Sequence, residues 1–405
     1  MRELLKRVKE IWKLLVLFLL ILLAFSYAMF QGGFVSWFLF YSFLPFALYA
    51  LGLTFYGLKD ITAERIYTKA EYNAGEKLKV SVILERNTPF PLLYTVAEEQ
   101  ASESLAEHSQ MKTAKSFLFP GFNKVFHFEY TVDELPRGEH FFSGIRIKTG
   151  DPLGLIEKET LVPVEDKILV YPAYEPLVYN PFENHYDQGM TASKERVQRD
   201  TSMAIGVREY QPGDRFSWIN WKATAKRNDI MTKEFEQRQT HDVSIIMDCA
   251  PDKRFETIVS FTASLVKAIL RKGAQVGLLT ASSERAAYPI RGGEIQQQQL
   301  FYHLAKIRDN SPVTLDRVME GETFLAHQNV TLMLVTAQLT KGLVEKASFY
   351  SQRNGAVTIF LIKKGKELPA QDELALKTAA NARGVAVTLV HEGGFKDAFS
   401  EVKRG

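Results

Sequence analysis

The longest apolar stretch of the chain lies near its start. No charged residue occurs between positions 14 and 58, a run of 45 residues. About 20 apolar residues cross a hydrocarbon core that is about 30 Å thick, so this run is long enough for two spans. The turn-forming sequence Gln31-Gly32-Gly33 divides it. The pattern therefore predicts helices over Leu14–Phe30 and Phe34–Tyr56, which form a transmembrane hairpin within residues 1–58.

Basic residues flank this hairpin on both sides, and the turn between the spans is uncharged. They are Arg2, Lys6, Arg7, Lys9 and Lys13 before the first span, and Lys59, Arg65 and Lys69 after the second. The positive-inside rule then predicts a multi-pass protein of the cell membrane, with both termini and the large domains in the cytoplasm. The alternative is a cleaved signal peptide with Ser26 and Ala28 at its cleavage site. The second span would then stop transfer and leave the same domains in the cytoplasm.

Residues 61–178 change to a period of two. Apolar positions alternate with polar ones at Leu78, Val80, Val82 and Leu84, and again at Phe126, Phe128, Tyr130 and Val132. Such alternation is typical of half-buried strands. Glycine and proline punctuate the gaps, and seven or eight short strands fit into the segment. The pattern predicts an immunoglobulin-like β-sandwich.

A polar stretch follows, and then strands and helices alternate. Residues 179–205 are predicted to be a linker. Together with the signature segment described below, the linker lies within residues 179–241, between the two predicted domains. The predicted strands of the last segment are Val243–Met247, Gln275–Thr280, Ala286–Ile290, Val330–Thr336, Val357–Ile362 and Val385–Val390. Amphipathic helices are predicted after the first strand and near Ile295–Ile307, Lys341–Arg353 and Gln371–Arg383. Residues 242–405 are therefore predicted to form a doubly wound α/β domain.

Composition excludes several classes of protein. The 405 residues include one cysteine, which cannot form an internal disulfide or a thiolate-based zinc or iron–sulfur site. The 50 Lys and Arg residues exceed the 47 Asp and Glu residues by only 3. A dedicated nucleic-acid-binding protein usually carries a strongly basic domain, so no nucleic-acid partner is predicted.

Signatures of catalysis are missing from the sequence. It contains no phosphate-binding loop, no dinucleotide-binding glycine motif and no nucleophile elbow. Its eight histidines never come within five positions of one another, so no local pair of histidine metal ligands exists. Cys249 follows a predicted strand, but His241 lies at the other end of that strand, more than about 20 Å away. A small buried residue is the preferred interpretation of Cys249. We expect no enzymatic activity and no cofactor.

The most informative stretch, which we call the signature segment, spans residues 206–236. Asp214 is predicted to cap a short helix that carries Trp218, Trp221 and Ala225 on one side. One interpretation is an ion-paired clasp that fixes the linker to the α/β domain. The other is a docking surface, because Trp and Arg dominate interface hot spots. The candidate residues for either role are Arg208, Glu209, Tyr210, Asp214, Trp221, Arg227, Glu234 and Glu236.

Three motifs resemble those of a known family. Arg208-Glu209-Tyr210-x-Pro-Gly-Asp214, Trp221-Lys-Ala-Thr-Ala-Lys-Arg227 and Lys-Glu234-Phe-Glu236 look like the signature of bacterial membrane proteins carrying "domain of unknown function 58". The upstream sequences Asp151-Pro-Leu-Gly-Leu155 and Tyr171-Pro172 are similar to landmarks of that family. The resemblance covers nearly the whole chain.

The resemblance also implies an α/β domain similar to a von Willebrand factor A domain. Such domains bind Mg²⁺ through an Asp-x-Ser-x-Ser motif and a later aspartate. In this chain the motif reads Asp248-Cys249-Ala250-Pro251-Asp252, and Ala337 takes the place of the later aspartate. Because Mg²⁺ demands hard oxygen ligands in octahedral geometry, the site at Asp248 and Asp252 is predicted to be degenerate and to hold no metal.

The predicted function is that of a membrane-anchored, non-enzymatic interaction or assembly-adaptor protein. The family resemblance implies protein partners, a MoxR-type AAA+ ATPase and a transglutaminase-like membrane protein. One alternative is a hydrolase that uses carboxylates such as Asp214, Glu234 or Asp248. Another is a metal-dependent adhesion module, which would require the α/β domain to lie outside the cell.

Overall fold

A computed structural model gives the fold of the chain. It describes residues 2–102, 105, 114–179, 198–211, 214–227, 229–238, 242–320, 330–365 and 367–399. The chain divides into two compact units, Met1–Tyr171 and Pro172–Gly405.

Two long helices open the first unit. Helix α1 spans Arg2–Gln31 and helix α2 spans Phe34–Phe55. Gly32, with a φ of +58°, turns the chain between them in a conformation that glycine adopts without strain. The first helix begins 12 residues before the predicted start at Leu14, because its basic N-terminal stretch is also helical. Both predicted apolar helices are confirmed, and the segments 12–31 and 34–55 are long and apolar enough to cross a membrane.

Small side chains bring the two helices together. Ala28, Ala47 and Ala50 are fully buried, and Leu17 packs into the same hydrophobic cluster as the last two of these alanines. Small residues allow close approach of helix backbones. Most of the large apolar side chains instead point away from the protein. Among the exposed ones are Leu15, Phe18, Leu22, Phe38, Leu39 and Phe46.

Eight strands form two sheets in the rest of this unit. They are β1 Ile61–Tyr67, β2 Tyr72–Asn73, β3 Leu78–Arg86, β4 Thr95–Ala101, β5 Lys115–Leu118, β6 Val125–Val132, β7 Gly138–Gly150 and β8 Glu157–Tyr171. One sheet has the order β1-β3-β6 and the other the order β2-β8-β7-β4-β5. The predicted alternation is observed, since every second residue of β3 and β6 is buried. Buried residues of both sheets belong to one hydrophobic core, and we call this part the two-sheet domain.

One basic residue counted among the hairpin flanks is buried in this core. The Arg65 side chain is only 1% exposed and its Nη2 lies 2.7 Å from Oε1 of the fully buried Glu99. The Tyr130 hydroxyl donates to the same carboxylate at 3.0 Å. Because its charge is compensated within the fold, Arg65 does not belong to the exposed basic flank that the sequence suggested.

The second unit begins with a two-stranded ribbon. Strand β9 spans Gln198–Glu209 and pairs antiparallel with β10 at Met231–Arg238. A 3₁₀ turn at Phe216–Trp218 and helix α3 at Trp221–Arg227 lie between them. The predicted linker 179–205 is wrong for residues 198–205, which are part of β9. Residues 198–202 are all polar, so the first part of the strand carries no apolar alternation, and its partner β10 is a distant segment that local sequence does not reveal.

The α/β domain completes the chain with a six-stranded sheet. Its strands are β11 Val243–Met247, β12 Val276–Ala281, β13 Arg285–Arg291, β14 Thr331–Thr336, β15 Val357–Lys363 and β16 Val385–His391. Its helices are α4 Phe255–Arg271, α5 Glu294–Lys306, α6 Leu315–Glu320, α7 Lys341–Asn354 and α8 Gln371–Asn381. The predicted strands and helices are all present within two residues at each end. Among the described residues of this domain, the short α6 and a 3₁₀ helix at Phe395–Phe399 were not predicted.

The strand order of this sheet is β13-β12-β11-β14-β15-β16. Strand β13 runs antiparallel to its neighbour β12, and the other neighbours are parallel. The central strands β11, β14 and β15 are buried at every position except Thr331, as expected when helices cover both faces of a parallel sheet. The order reverses at β11, so the carboxyl ends of β11 and β14 border the crevice in which open α/β sheets usually bind ligands.

Candidate functional site

The loop after β9 is held by an ion pair within the signature segment. Nη2 of Arg208 lies 2.8 Å from Oδ1 of Asp214. The other Asp214 oxygen, Oδ2, accepts a hydrogen bond of 3.1 Å from the backbone N–H of Gln211. The Asp214 side chain is 8% exposed and that of Arg208 is 31% exposed. Two of the predicted candidates therefore meet, and their ion pair joins the end of β9 to Asp214.

Asp214 does not cap the following helix, so that prediction is wrong. Asn220 has this role, because its side-chain Oδ1 accepts from Ala223 N at 3.2 Å and its carbonyl accepts from Thr224 N at 2.9 Å. The predicted single helix is also interrupted. Ile219 forms a β-bridge with Thr232, and Asn220 N donates to Met231 O at 2.8 Å. This pairing holds residues 219–220 in an extended conformation, which separates the 3₁₀ turn from α3.

Aromatic side chains of this segment are exposed although its backbone is fixed. Trp221 is 69% exposed and Phe216 is 78% exposed. The Phe216 ring stacks on Tyr210 at a centroid distance of 6.4 Å, and the Arg215 guanidinium lies 5.5 Å from the Trp218 ring centroid. Exposed Trp side chains on an ordered backbone are typical of interface anchors.

The remaining candidates of this segment are spread along it. Glu209 is exposed at the end of β9, and Arg227 is exposed in the last turn of α3, where a positive charge complements the helix dipole. Glu234 and Glu236 belong to β10, but their side chains lie outside the described part of the chain.

A second group of polar residues lies at the carboxyl ends of β11 and β14. Asp248 Oδ2 accepts a hydrogen bond from the Thr336 hydroxyl at 2.7 Å, and Oδ1 accepts from Ala250 N at 3.0 Å. The backbone joins the same two strands, since Asp248 N donates to Val335 O at 2.9 Å. The Asp248 carboxylate thus connects the two central strands at the crevice.

The neighbouring carboxylate of Asp252 is engaged by an arginine. Nε and Nη2 of Arg254 donate to Oδ1 and Oδ2 of Asp252 at 2.8 and 2.9 Å, a bidentate pair. Nε2 of Gln338 donates to Oδ2 at 3.2 Å. Hydrogen bonding to Arg254 holds the pKa of Asp252 well below its usual range. Both side chains of the pair are largely buried, with exposures of 12% and 15%.

These residues do not fit a Mg²⁺ site. The guanidinium of Arg254 occupies both oxygens of Asp252, and Cys249, Ala250 and Ala337 offer no hard side-chain oxygen. Among the described residues, no group of three or more His, Cys, Asp or Glu side chains could hold a metal ion. Arg254 supplies the positive charge that a cation would bring to this crevice.

Cys249 is a buried thiol with 2% exposure, and its Sγ lies 3.6 Å from Met247 O. His241, the base considered for it, lies outside the described residues. Two carboxylates of the hydrolase alternative have separate partners, because Asp214 pairs with Arg208 and Asp248 with Thr336.

Sequence reasoning missed Arg254, Thr336 and Gln338. The signal for Arg254 was its position two residues after Asp252, which allows a loop carboxylate to accept both its backbone and its side-chain N–H groups. Thr336 and Gln338 lie more than 80 positions from their partners, and only the parallel pairing of β11 with β14 brings them close.

These features define a class of protein in which two apolar helices precede a two-sheet domain and an α/β domain with an arginine-paired carboxylate at its crevice. Residues 206–404 match the family described as "Protein of unknown function DUF58". The chain is 38% identical over 384 residues to "Uncharacterized protein YeaD" of Bacillus subtilis (strain 168), covering 94% of this chain and 96% of that protein. The chain belongs to the DUF58 family.

Similarity to solved structures is weak. Proximal thread matrix protein 1 from the mussel byssus is 12% identical, covers 41% of this chain and 46% of its own, and has a TM-score of 0.28. The sporulation control protein Spo0M from Bacillus subtilis is 13% identical, covers 28% of this chain and 50% of its own, and has a TM-score of 0.15. Neither score supports an argument about this chain.

The low pKa of Asp252 predicts how stability depends on pH. The folded-state pKa lies below the value of about 3.9 for an unfolded aspartate, so the contact with Arg254 stabilises the fold above about pH 4. This stabilisation is lost as the pH falls through the folded-state pKa. We expect Arg254→Gln to lower the free energy of unfolding at neutral pH, by an amount that shrinks below about pH 4. Urea unfolding of the full chain in detergent measures this difference.

The matched control is Lys346→Gln, which removes a solvent-exposed ion pair with Glu320. Exposed pairs contribute little, so this variant should unfold nearly as the wild type does at every pH. A loss of stability in Arg254→Gln that is equal at neutral and acid pH would contradict the assignment of the effect to Asp252 ionisation.

Proposed function

We propose that this chain is a non-enzymatic, membrane-anchored protein-interaction protein that works as an assembly adaptor. The observation that carries the proposal is Trp221, a large aromatic side chain that is 69% exposed on an ordered backbone. In this proposal residues 206–227 form a docking surface for another protein, and the two apolar helices hold that surface at a membrane.

The hairpin supports the membrane part of the proposal. Its apolar segments have 20 and 22 residues, and most of their large side chains are exposed rather than packed in a protein core. A soluble protein rarely leaves so many contiguous apolar side chains in water. With basic residues in the N-terminal part of α1 and Lys59 after α2, we propose that both termini and both large domains lie in the cytoplasm.

The architecture supports the finer domain assignments. Two sheets of three and five strands around a common core are consistent with an immunoglobulin-like sandwich. A central parallel sheet with one antiparallel edge strand and alternating helices is consistent with a von Willebrand factor A-like domain. We propose that Arg254 has replaced the metal in this domain, so that its partners bind without a bridging cation.

Docking explains the segment better than hydrolysis does. A surface that needs no rearrangement loses little conformational entropy on binding, and the backbone around Trp221 is tied down on both sides. Asn220 N bonds Met231 O at 2.8 Å, and the Thr224 hydroxyl accepts from Met231 N at 3.0 Å. From the family resemblance we propose a MoxR-type AAA+ ATPase as the docking partner and a transglutaminase-like membrane protein as a second partner.

The proposed topology predicts which positions are accessible from outside intact cells. With Cys249→Ala as background, the chain has no cysteine, so Gly33→Cys and Ser143→Cys each introduce a single one. Gly33 lies in the hairpin turn with open space around its Cα, and Ser143 is exposed on β7. We expect a membrane-impermeant maleimide to label Gly33→Cys in intact cells and to label Ser143→Cys only after permeabilisation. Labelling of Ser143→Cys in intact cells would contradict the topology and favour the adhesion module.

The docking surface is tested by truncating its aromatic side chains. Loss of an interface anchor costs about 2 kcal/mol or more. We therefore expect Trp221→Ala and Phe216→Ala each to reduce the ATPase recovered with the full chain from cross-linked native membranes by about tenfold or more.

The control is Ile295→Ala, which removes an equally exposed side chain, 74% accessible, from helix α5. It should recover as much ATPase as the wild type. Undiminished recovery with both aromatic variants would refute the docking surface. If Trp221→Ala instead lowers only the melting temperature, the ion-paired clasp is the better interpretation of the segment.

A further inference from the structure

The loop at residues 90–93 is fastened to the second apolar helix. The Phe90 ring stacks on Tyr56 at a centroid distance of 4.9 Å and lies 5.6 Å from the Tyr49 ring. The Tyr49 hydroxyl accepts a hydrogen bond of 3.2 Å from Leu93 N. Gly52 allows this approach, since a Cβ at that position would lie 3.2 Å from the Phe90 ring. The loop therefore lies against the last two turns of α2.

A second loop, residues 119–124, is fixed to the first by a buried arginine. Arg86 is 1% exposed, and its three guanidinium nitrogens donate to the carbonyls of Phe90, Gly121 and Asn123 at 2.6, 2.7 and 2.8 Å. Leu92 and Gly121 exchange two backbone hydrogen bonds of 2.9 Å each. Such multiple bonds to a charged donor keep both loops in one orientation.

The turn between β7 and β8 joins the same end of the domain. Thr149 Oγ1 donates to Tyr94 O at 2.6 Å, which places the turn beside the first loop. Asp151 holds the turn closed, because its carboxylate accepts from Leu153 N at 3.0 Å and from Ile156 N at 2.5 Å. Just beyond it, Lys158 Nζ donates to Thr54 O and so reaches the end of α2.

Each of these three loops exposes large apolar side chains that the domain core does not use. We call these four side chains the apolar tip; they are Leu93 (45% exposed), Phe119 (77%), Phe122 (70%) and Leu153 (46%). Lys124 in the second loop and Lys59, which follows α2, are also exposed. Exposed aromatic residues next to lysines are typical of the boundary between lipid chains and head groups.

These contacts also fix the position of the apolar tip along the axis of helix α2. Tyr49, which binds Leu93, lies six residues before the end of α2 at Phe55, or about 9 Å at a rise of 1.5 Å per residue. A helix of 22 residues is about 33 Å long, against about 30 Å for a hydrocarbon core. If α2 spans a membrane, Leu93 lies closer to the membrane centre than the point at which α2 leaves the hydrocarbon core.

We propose that the apolar tip of the two-sheet domain inserts into the phospholipid surface of the membrane that the hairpin crosses. This inference rests on the proposed membrane span of α1 and α2. The ligand is the acyl-chain and head-group boundary of the bilayer, into which amphipathic protein surfaces insert by about 5–10 Å. The domain thus contacts the membrane at the hairpin and at a surface beside it, which restricts its orientation.

Lipid-borne quenchers test this contact in the full chain. In the Cys249→Ala background, a bimane fluorophore is attached to Phe122→Cys, and the protein is reconstituted into phosphatidylcholine–phosphatidylglycerol vesicles carrying a nitroxide near the head-group end of the acyl chain. Phe119→Cys is the second test position. Phe38→Cys, 62% exposed on α2, reports on the hairpin.

The matched control is Phe141→Cys, which is 51% exposed on β7. It lies nine residues from Gly150, or about 30 Å along the strand from the apolar tip. We expect labels at 122, 119 and 38 to lose about half or more of their emission, and the label at 141 to lose little.

Each other outcome overturns the proposal. Quenching at position 38, with positions 122 and 119 no more quenched than 141, leaves the membrane span intact and refutes insertion of the apolar tip; protection of the tip by a second copy or another protein would give this result. Equal quenching at 122 and 141 also refutes it, because the domain would then lie on lipid without a preferred end. If no position is quenched, the membrane span itself fails, and the insertion fails with it.

Discussion

The attachment of the two-sheet domain to the end of helix α2 is the contact on which the organisation of the first unit depends. The last carbonyls of a helix have no partner within it and carry partial negative charge. Lys158 Nζ donates to two of them, Thr54 O at 2.6 Å and Tyr56 O at 2.5 Å. The Phe90 ring covers the adjacent turn at Gly52. Charge and ring stacking therefore act at the same helix end.

This attachment makes the hairpin and the domain one packed body. Leu17, Ala47 and Leu53 of the helices belong to the same hydrophobic cluster as the buried residues of both sheets. A flexible tether would show no such continuity. The two-sheet domain therefore has a fixed orientation relative to α2.

The parts of the fold with regular periodicity could be predicted from the sequence. The alternation in β3 and β6, the stripe of helix α4 and the apolar run of the hairpin each reflect burial of one face, and burial leaves a local pattern. The start of strand β9 could not be predicted, because residues 198–202 are all polar and the partner strand β10 is distant in sequence. The same reason explains Asn220: only the bridge between Ile219 and Thr232 moves the helix start past Asp214.

The candidate residues could be identified in the sequence, but the partners that bond to them could not. The altered motif at Asp248 and Asp252 was visible in the sequence, and Trp221 was named as a candidate, but its exposure was not predicted. The partners of the carboxylates were not visible, because Thr336 and Gln338 come from another strand end. Arg254 pairs with Asp252 and Thr336 bonds Asp248, so both crevice carboxylates are engaged in internal contacts, whereas Trp221 and Phe216 of the signature segment are exposed.

Rigid attachment of the domain to α2 is tested most directly by a distance measurement between the two. Spin labels at Ser42→Cys on α2 and Thr131→Cys on β6, both exposed positions, are placed in the Cys249→Ala full chain reconstituted in lipid. Double electron–electron resonance should give one narrow distance distribution, which broadens when Lys158 and Phe90 are both replaced by alanine. A broad distribution in the chain that retains Lys158 and Phe90 would show that the domain swings on the segment after Tyr56, and would contradict the account.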